Sequence, residues 1–272
     1  MEVLELLIKT VTLRPYVFVF FAVFLFISSR MIGWQRTRYF MAITWMVALV
    51  CELSSTRSGI PFGWYFYTGS TVGQELYIAD VPFMDSLSFV FLLFASYCMA
   101  LAFLLPSMPI QPGQKIIRMY FPLDVRTGWP VVVLTTLFLT FVDVIIDPVA
   151  LLGDRWFLGK IYYYPDPGIH FGIPLANYLG WATVSLISLI AYLPLDRRLP
   201  QMDIPSPGPI TGHILLGCGL YYGVLIFNLG VTFWIEEPLQ GMTGIMIYIP
   251  ITILLILRLL GRLPAPVQDL QK

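Results

Sequence analysis

Seven apolar stretches alternate with more polar connections along the chain, and each is about 20 residues long, the length an α-helix needs to cross a bilayer. These predicted spans cover residues 15–32, 38–55, 83–105, 129–147, 173–194, 212–235 and 242–261. Residues 2–12 are expected to form a short interfacial helix before the first span. The pattern predicts an all-α fold: a polytopic membrane helix bundle, with residues 1–272 forming a single membrane domain.

Two connections are long and rich in aromatic side chains. One is residues 54–82, after the second span, and the other is residues 148–172, after the fourth. Their glycines and prolines indicate loops that fold into fixed shapes. Because the second and fourth spans run in the same direction, both loops are predicted to lie on one membrane face, as re-entrant or surface loops. The proline-rich connections 106–128 and 195–211 are expected to be surface linkers.

Composition supports a membrane location and excludes some partners. Of 272 residues, 58% are hydrophobic and 12% are charged, whereas soluble domains carry about 25% charged residues. Sixteen basic residues balance sixteen acidic ones, so no excess of positive charge suggests nucleic acid as a partner. The N-terminus lacks a basic region and a cleavage site, so no removable signal peptide is expected. The sequence predicts an integral membrane protein surrounded by lipid.

The basic residues predict an orientation, because Lys and Arg are enriched in cytoplasmic loops. With seven spans, the side of the N-terminus carries five of them: Lys9, Arg14, Arg57, Arg155 and Lys160. The opposite side carries the other eleven: Arg30, Arg36, Arg38, Lys115, Arg118, Arg126, Arg197, Arg198, Arg258, Arg262 and Lys272. The N-terminus is therefore predicted to lie outside and the C-terminus in the cytoplasm.

Three carboxylates interrupt the apolar spans. Asp143 and Asp147 lie four residues apart, on one stripe of a helix and about 6 Å apart along its axis. Glu52 lies at the corresponding end of the second span. Charged residues at membrane depth are costly and usually functional, and two neighbouring carboxylates can share a proton, giving one acid and one base. The structural alternative is that these residues bind Arg57 or Arg155 at the helix ends, or face water.

The aromatic loops provide candidates for substrate binding: Trp64, Tyr65, Tyr67, Trp156 and Tyr162. A π-lined pocket can stabilise a cation and bind a long apolar molecule, although an interfacial aromatic belt also explains part of the set. His170 lies in the second loop and could orient a carboxylate or a water molecule. No His, Cys and carboxylate cluster has metal-ligand spacing, so no metal site is predicted.

Two runs of residues resemble a known family. The first is E-x6-G-x3-G-x-Y-x-Y at Glu52, Gly59, Gly63, Tyr65 and Tyr67, followed by Val81-Pro82. The second is D-x3-D-P at Asp143, Asp147 and Pro148, followed by Trp156, Gly159, Tyr162, Gly172, Pro174, Asn177, Gly180 and Trp181. Over about residues 40–260 the chain resembles the membrane carotenoid biosynthesis family that includes the CruF-type carotenoid 1,2-hydratases.

The resemblance implies an enzyme of a bacterial or archaeal cytoplasmic membrane that adds water to the isopropylidene end of an acyclic carotene, such as lycopene or γ-carotene. It implies no cofactor, adds Asn177 and Trp181 to the substrate site, and makes other carotenoid biosynthesis enzymes possible partners. Protonation at C2 would leave a tertiary cation at C1, which water captures. Asp143, the deeper carboxyl, is expected to be the general acid, with Asp147 and Glu52 supplying protons and holding water.

Two alternatives stay open from the residues alone. A carotenoid cyclase of the lycopene type, or an isomerase, would use the same cation without admitting water. Residues Ile235-Glu236-Glu237-Pro238 resemble the proline and paired-acid motif of membrane lycopene cyclases, but in reversed order. A carotenoid or lipid transporter is the alternative of another class, and it would be expected to show inverted repeats, which the sequence lacks.

Overall fold

The protein is described from a computed structural model that covers residues 2–109, 117–200 and 207–263. The C-terminus and parts of the linkers 106–128 and 195–211 lie outside these residues. Within the described ranges the helices are α1 Glu2–Leu13, α2 Pro15–Met31, α3 Trp34–Ser58, α4 Phe83–Leu104, α5 Leu123–Arg126, α6 Trp129–Leu151, α7 Leu175–Arg198, α8 Pro207–Trp234 and α9 Pro238–Leu259. The strands are β1 Phe66–Tyr67, β2 Tyr77–Ile78, β3 Val81–Pro82, β4 Ser107–Pro109, β5 Ile117–Met119 and β6 Tyr162–Tyr163.

Six of the described helices, α3, α4 and α6 to α9, are each long and apolar enough to span a membrane. The remaining predicted span, residues 15–32, is the first along the chain. It corresponds to α2, which at 17 residues is shorter than these six helices. Helix α1 precedes α2, and the two helices meet at a bend of 95° at Arg14. The prediction of an integral membrane helix bundle is confirmed.

Helix α4 forms the centre of the bundle. Its sequence is apolar on every side, as expected for a helix surrounded by protein, and 83% of its most apolar segment is buried. Helices α2, α3, α6 and α8 pack around it. Only 22% of the corresponding segment of α9 is buried, so α9 lies at the periphery. Most of α4 is therefore enclosed by the surrounding helices.

Helix α6 continues beyond its predicted end at residue 147. It ends at Leu151, and Pro148 lies inside it. Proline has no N–H, so it leaves the carbonyl of the residue four positions earlier, Val144, without its helical partner. The His170 side chain fills that gap, with Nε2 lying 3.3 Å from the Val144 oxygen. Further along, the Trp156 indole donates to the Val149 carbonyl at 2.9 Å. Side chains of the second aromatic loop thus stabilise the end of α6.

The two aromatic loops are joined to each other. Strand β1 of the first loop pairs antiparallel with β6 of the second, with Phe66 opposite Tyr163 and Tyr67 opposite Tyr162. The first loop also packs directly on α7, because Phe62 lies where a side chain at Gly180 would stand. The prediction that both loops lie on one face is confirmed. They cover the end of the bundle where α3, α6 and α8 end and α4, α7 and α9 begin.

Candidate active site

Two cavities meet beneath the joined loops. The larger has a volume of about 100 Å³ and the smaller about 40 Å³. Four residues line both cavities, and each comes from a different element or loop: Asp85 of α4, Asp147 of α6, Tyr162 of β6 and Trp181 of α7. Two carboxyl groups therefore lie on the wall that the cavities share.

The larger cavity is mainly apolar and lies between α2, α4, α6 and α8. The polar side chains on its wall are few compared with the aromatic and aliphatic ones. Besides the four shared residues, its described lining consists of Tyr16, Val17, Phe20, Met84, Ser88, Phe91, Leu92, Ile146, Ala150, Trp156, Leu158, Ile161, Val224, Phe227 and Asn228.

The smaller cavity is lined by acidic, phenolic and amide side chains. Its wall adds Glu52, Phe62, Tyr65, Tyr67, Phe89, Tyr164 and Asn177 to the four shared residues. No basic side chain occurs among the described residues that line either cavity. In the part of the chain that the structure describes, no group of three or more His, Cys, Asp or Glu side chains is arranged to hold a metal ion.

Asp143 and Asp147 are connected by one amide. The Asn177 nitrogen Nδ2 donates to Oδ2 of Asp143 at 3.0 Å and to Oδ2 of Asp147 at 2.5 Å. The pair on the predicted stripe of α6 is therefore held from the first turn of α7. Only Asp147 reaches the cavities, since Asp143 is completely buried and lines neither.

A second carboxyl group is held from the first loop. The Tyr67 hydroxyl donates to Oδ2 of Asp85 at 2.6 Å, whereas its oxygen lies 3.5 Å from Oε1 of Glu52. A phenol has one hydrogen to donate, and the shorter contact identifies Asp85 as its acceptor. The Oε2 atom of Glu52 is buried and has no hydrogen-bond partner.

The loop tyrosines remain neutral hydroxyl groups at physiological pH. Burial, together with the neighbouring Asp85 carboxyl, raises the pKa of the Tyr67 phenol well above its usual range. Burial and the nearby Asp147 do the same for the pKa of Tyr162 and of Tyr164. Tyr164 lies 3.5 Å from Oδ2 of Asp147 and Tyr162 lies 3.3 Å from its backbone oxygen. These phenols therefore act as hydrogen-bond donors around the carboxyl groups.

Trp181 forms a fixed wall between the two cavities. Its ring stacks on Phe89 with centroids 4.2 Å apart, and only 6% of its surface is exposed. The face of such a ring can stabilise a cation that lies within about 6 Å of its centre. The face of the Trp181 ring is thus suited to stabilise a positively charged intermediate.

A buried ion pair ties the loops to the start of α2. The Arg14 guanidinium contacts Glu75 of the first loop at 2.9 and 3.2 Å and donates to the Leu158 carbonyl of the second loop at 2.5 Å. The side chains of Arg14 and Glu75 are almost inaccessible, at 1% and 0% exposed. The bend between α1 and α2 is thereby attached to both loops above the cavities.

The structure brings most of the predicted site residues together. Glu52, Asp147, Tyr65, Tyr67, Tyr162, Asn177 and Trp181 line the smaller cavity, and Trp156 lines the larger one. Asp143 lies behind Asp147. Trp64 is half exposed and packs over Gly59 and Phe66, and His170 contacts the Val144 backbone; neither lines either of these two cavities. The alternative pairings of the carboxylates with Arg57 or Arg155 do not occur, because those arginines contact Asp80 and Glu237.

Sequence reasoning missed Asp85 and Tyr164. Asp85 carried the same signal as Asp143, a single carboxylate in an apolar run, but at the first turn of a helix a solvated interfacial position explains it equally well. Tyr164 could not be separated from its neighbours in the run Tyr162–Tyr163–Tyr164. The alternation of buried, exposed and buried side chains there follows from the short strand β6.

The fold and the site define an integral membrane helix bundle with an acidic and an aromatic cavity joined beneath two paired loops. A family model described as carotenoid biosynthesis protein matches residues 9–251, nearly the whole chain, and the chain belongs to this family. No curated protein and no solved structure gives a match. Membership supports an enzymatic role in carotenoid biosynthesis, with a carotenoid as substrate and lipid as the surroundings.

Proposed function

We propose that the protein is a carotenoid 1,2-hydratase. It adds water to the terminal isopropylidene double bond of an acyclic carotene end, as in lycopene or γ-carotene, in a bacterial or archaeal cytoplasmic membrane. The observation that carries the proposal is that Asp147 lies where an apolar cavity and a polar cavity meet. One cavity suits the hydrocarbon end group and the other suits water, so one carboxyl group can reach both reactants.

In the proposed reaction the acid form of Asp147 transfers its proton to C2 of the terminal double bond. The tertiary cation left at C1 lies against the face of Trp181, which stabilises positive charge. Water from the smaller cavity adds to C1 and releases a proton, so the product is a tertiary alcohol. The assignment of the acid to Asp147 rather than to Asp143 rests on access, since a general acid must lie within hydrogen-bond reach of the reacting atom.

Asp143 and Asn177 then have positioning roles. The Asn177 amide donates to both carboxyl groups, and this fixes the direction of the Asp147 carboxyl group. The proton is replaced through the chain of neighbouring carboxyl and hydroxyl groups. The substrate enters from the bilayer or from another carotenoid biosynthesis enzyme, and no cofactor is required for the addition of water.

Expression in a bacterium that accumulates lycopene or γ-carotene tests the proposal. The extracted pigment should gain the mass of one water molecule per modified end, and its visible spectrum should hardly change because the hydrated bond lies outside the conjugated system. Asp147→Asn should reduce conversion by about 10²–10⁴-fold, because an amide cannot protonate an alkene. Asp143→Asn should reduce conversion less.

The control is Asp154→Asn, which changes an exposed aspartate of the second loop and should leave conversion unchanged. A new ring without a change in mass would instead identify a cyclase, and an isomer of equal mass an isomerase. Absence of any new pigment, with the protein inserted and the substrate present, would favour carotenoid or lipid transport. A full-activity Asp147→Asn variant would show that this carboxyl is structural.

A further inference from the structure

Asp85 stands in the same relation to the cavities as Asp147. Among the described residues these two are the carboxyl groups that line both cavities, and they come from different helices, α4 and α6. Asp85 lies in the first turn of the central helix and is partly exposed there. Each cavity is therefore lined by two carboxyl groups on its shared wall, of which proton donation uses one.

The hydrogen bonds of the two carboxyls differ in a way that suits different roles. Asp147 is bound by the Asn177 amide and Asp85 by the Tyr67 phenol, at 2.5 and 2.6 Å. The phenol lies in β1, on the side of the smaller cavity, so Asp85 is oriented by a group of that cavity's wall. The two carboxyl groups are thus held independently.

Glu52 indicates that the smaller cavity holds a polar ligand. It is 2% exposed and lines that cavity, yet its Oε2 atom has no partner and its Oε1 atom has only the 3.5 Å contact with Tyr67. A buried carboxyl without partners is costly, and water satisfies such groups in polar cavities where it finds two to four partners. A water molecule needs roughly 10–15 Å³ of such a cavity, so a cavity of about 40 Å³ has room for about three.

We propose that the smaller cavity is the water site of the reaction and that Asp85, oriented by Tyr67, is the base that removes a proton from the attacking water. This inference rests on the proposed hydratase function. Asp147 gives one proton to C2, the water oxygen forms its bond to C1, and the proton released from that oxygen passes to Asp85. One water molecule is consumed, and transfer of a proton from Asp85 to Asp147 restores the starting state.

These two roles predict that loss of Asp85 separates proton donation to the alkene from the addition of water. Without the base, the cation still forms, but water is not activated, so C2 loses a hydron to Asp147 and the double bond forms again. In deuterium oxide the donated hydron is deuterium, and loss of the original C2 hydrogen in its place leaves deuterium at C2 of the recovered carotene. A variant lacking only the base should therefore label the substrate without hydrating it.

The experiment uses membranes that contain the full-length protein, incubated with the acyclic carotene in deuterium oxide. Hydrated product and deuterium in the recovered carotene are measured by mass spectrometry for Asp85→Asn, Asp147→Asn and Tyr67→Phe. We expect Asp85→Asn to lose hydration by about 10²-fold or more and to retain labelling. Asp147→Asn should lose both, and Tyr67→Phe should lose about tenfold of hydration while labelling persists.

The matched controls are Asp154→Asn and Tyr163→Phe, which change exposed side chains of the second loop and should behave as wild type. Hydration by Asp85→Asn at the wild-type rate, or equal loss of hydration and labelling in an inserted variant, would overturn the role of Asp85. If Asp85→Asn fails to fold, Tyr67→Phe decides, because equal loss of both signals there also overturns it. Absence of hydrated product from the wild-type protein would instead refute the hydratase proposal itself.

Discussion

The amide nitrogen of Asn177 lies 2.5 Å from Oδ2 of Asp147, and this contact fixes the carboxyl at the junction of the two cavities. The donor comes from the first turn of α7 and the acceptor from the last turns of α6. Packing of these two helices therefore sets the direction of the proposed proton donor. The same amide also reaches Asp143, so it supports the pair rather than one member.

Asn177→Leu should lower conversion without preventing insertion. A hydrogen bond between neutral groups contributes about 0.5–1.5 kcal/mol, which corresponds to roughly 2–10-fold in rate. The measurement is hydrated carotene formed per amount of inserted protein. Thr183→Val is the control, because this exposed α7 hydroxyl bonds only to Leu179 of its own helix. Unchanged conversion by Asn177→Leu would show that the amide does not position the acid.

The contact between His170 and Val144 predicts a stabilising role for His170. His170→Ala should lower the free energy of unfolding in detergent by about 0.5–1.5 kcal/mol, with conversion per folded protein retained. In a Pro148→Ala background, the N–H of residue 148 can bond to the Val144 carbonyl, so the loss should be smaller. An equal loss in both backgrounds, measured by thermal unfolding, would contradict this explanation.

The Arg14–Glu75 pair predicts a large cost when one partner is removed. Arg14→Met leaves Glu75 buried without its counter-charge and should destabilise the protein by about 3–5 kcal/mol. Arg14→Met combined with Glu75→Met should recover much of that loss. The exposed pair Arg57–Asp80, at 55% and 41% exposed, is the control, and Arg57→Met should cost less than about 1 kcal/mol. Similar losses at both pairs would show that burial of the ion pair does not matter.

The eleven-to-five division of basic residues predicts the orientation of the chain. An epitope inserted at residue 160, in the second aromatic loop, should be accessible from outside intact cells. One placed at the C-terminus should be accessible only after the membrane is opened. The reverse result would invert the orientation, while the relation of the cavities to the paired loops would stand.

Much of the bundle can be predicted from the sequence, because a long apolar stretch in lipid satisfies its backbone hydrogen bonds by forming a helix. The spacing of Asp143 and Asp147 also predicts that both lie on one stripe of the same helix. The pairing of β1 with β6 could not be foreseen, since two-residue strands far apart in the chain carry no alternating pattern. The same long-range packing decides that Asp85 and Asp147 face the cavities while Asp143 lies behind.

Helix ends were harder to predict than helices. A proline often marks the end of a helix, and Pro148 therefore predicts a helix end at residue 147. The helix continues because a side chain 26 residues away, His170, satisfies the carbonyl that proline leaves free. The bend of 95° between α1 and α2 agrees with a short helix before a separate span, as the sequence predicts, whereas the anchoring of this bend by Glu75 depends on tertiary contact.

The most direct test of the central claim is the origin of the oxygen in the product. Membranes containing the protein are incubated with lycopene or γ-carotene in water labelled with the heavy oxygen isotope, and the product is analysed by mass spectrometry. Addition of water to a C1 cation predicts one heavy oxygen atom in every hydrated end, with the label absent when Asp147→Asn is used. A product that carries unlabelled oxygen, or one with no added oxygen, would contradict the hydratase account.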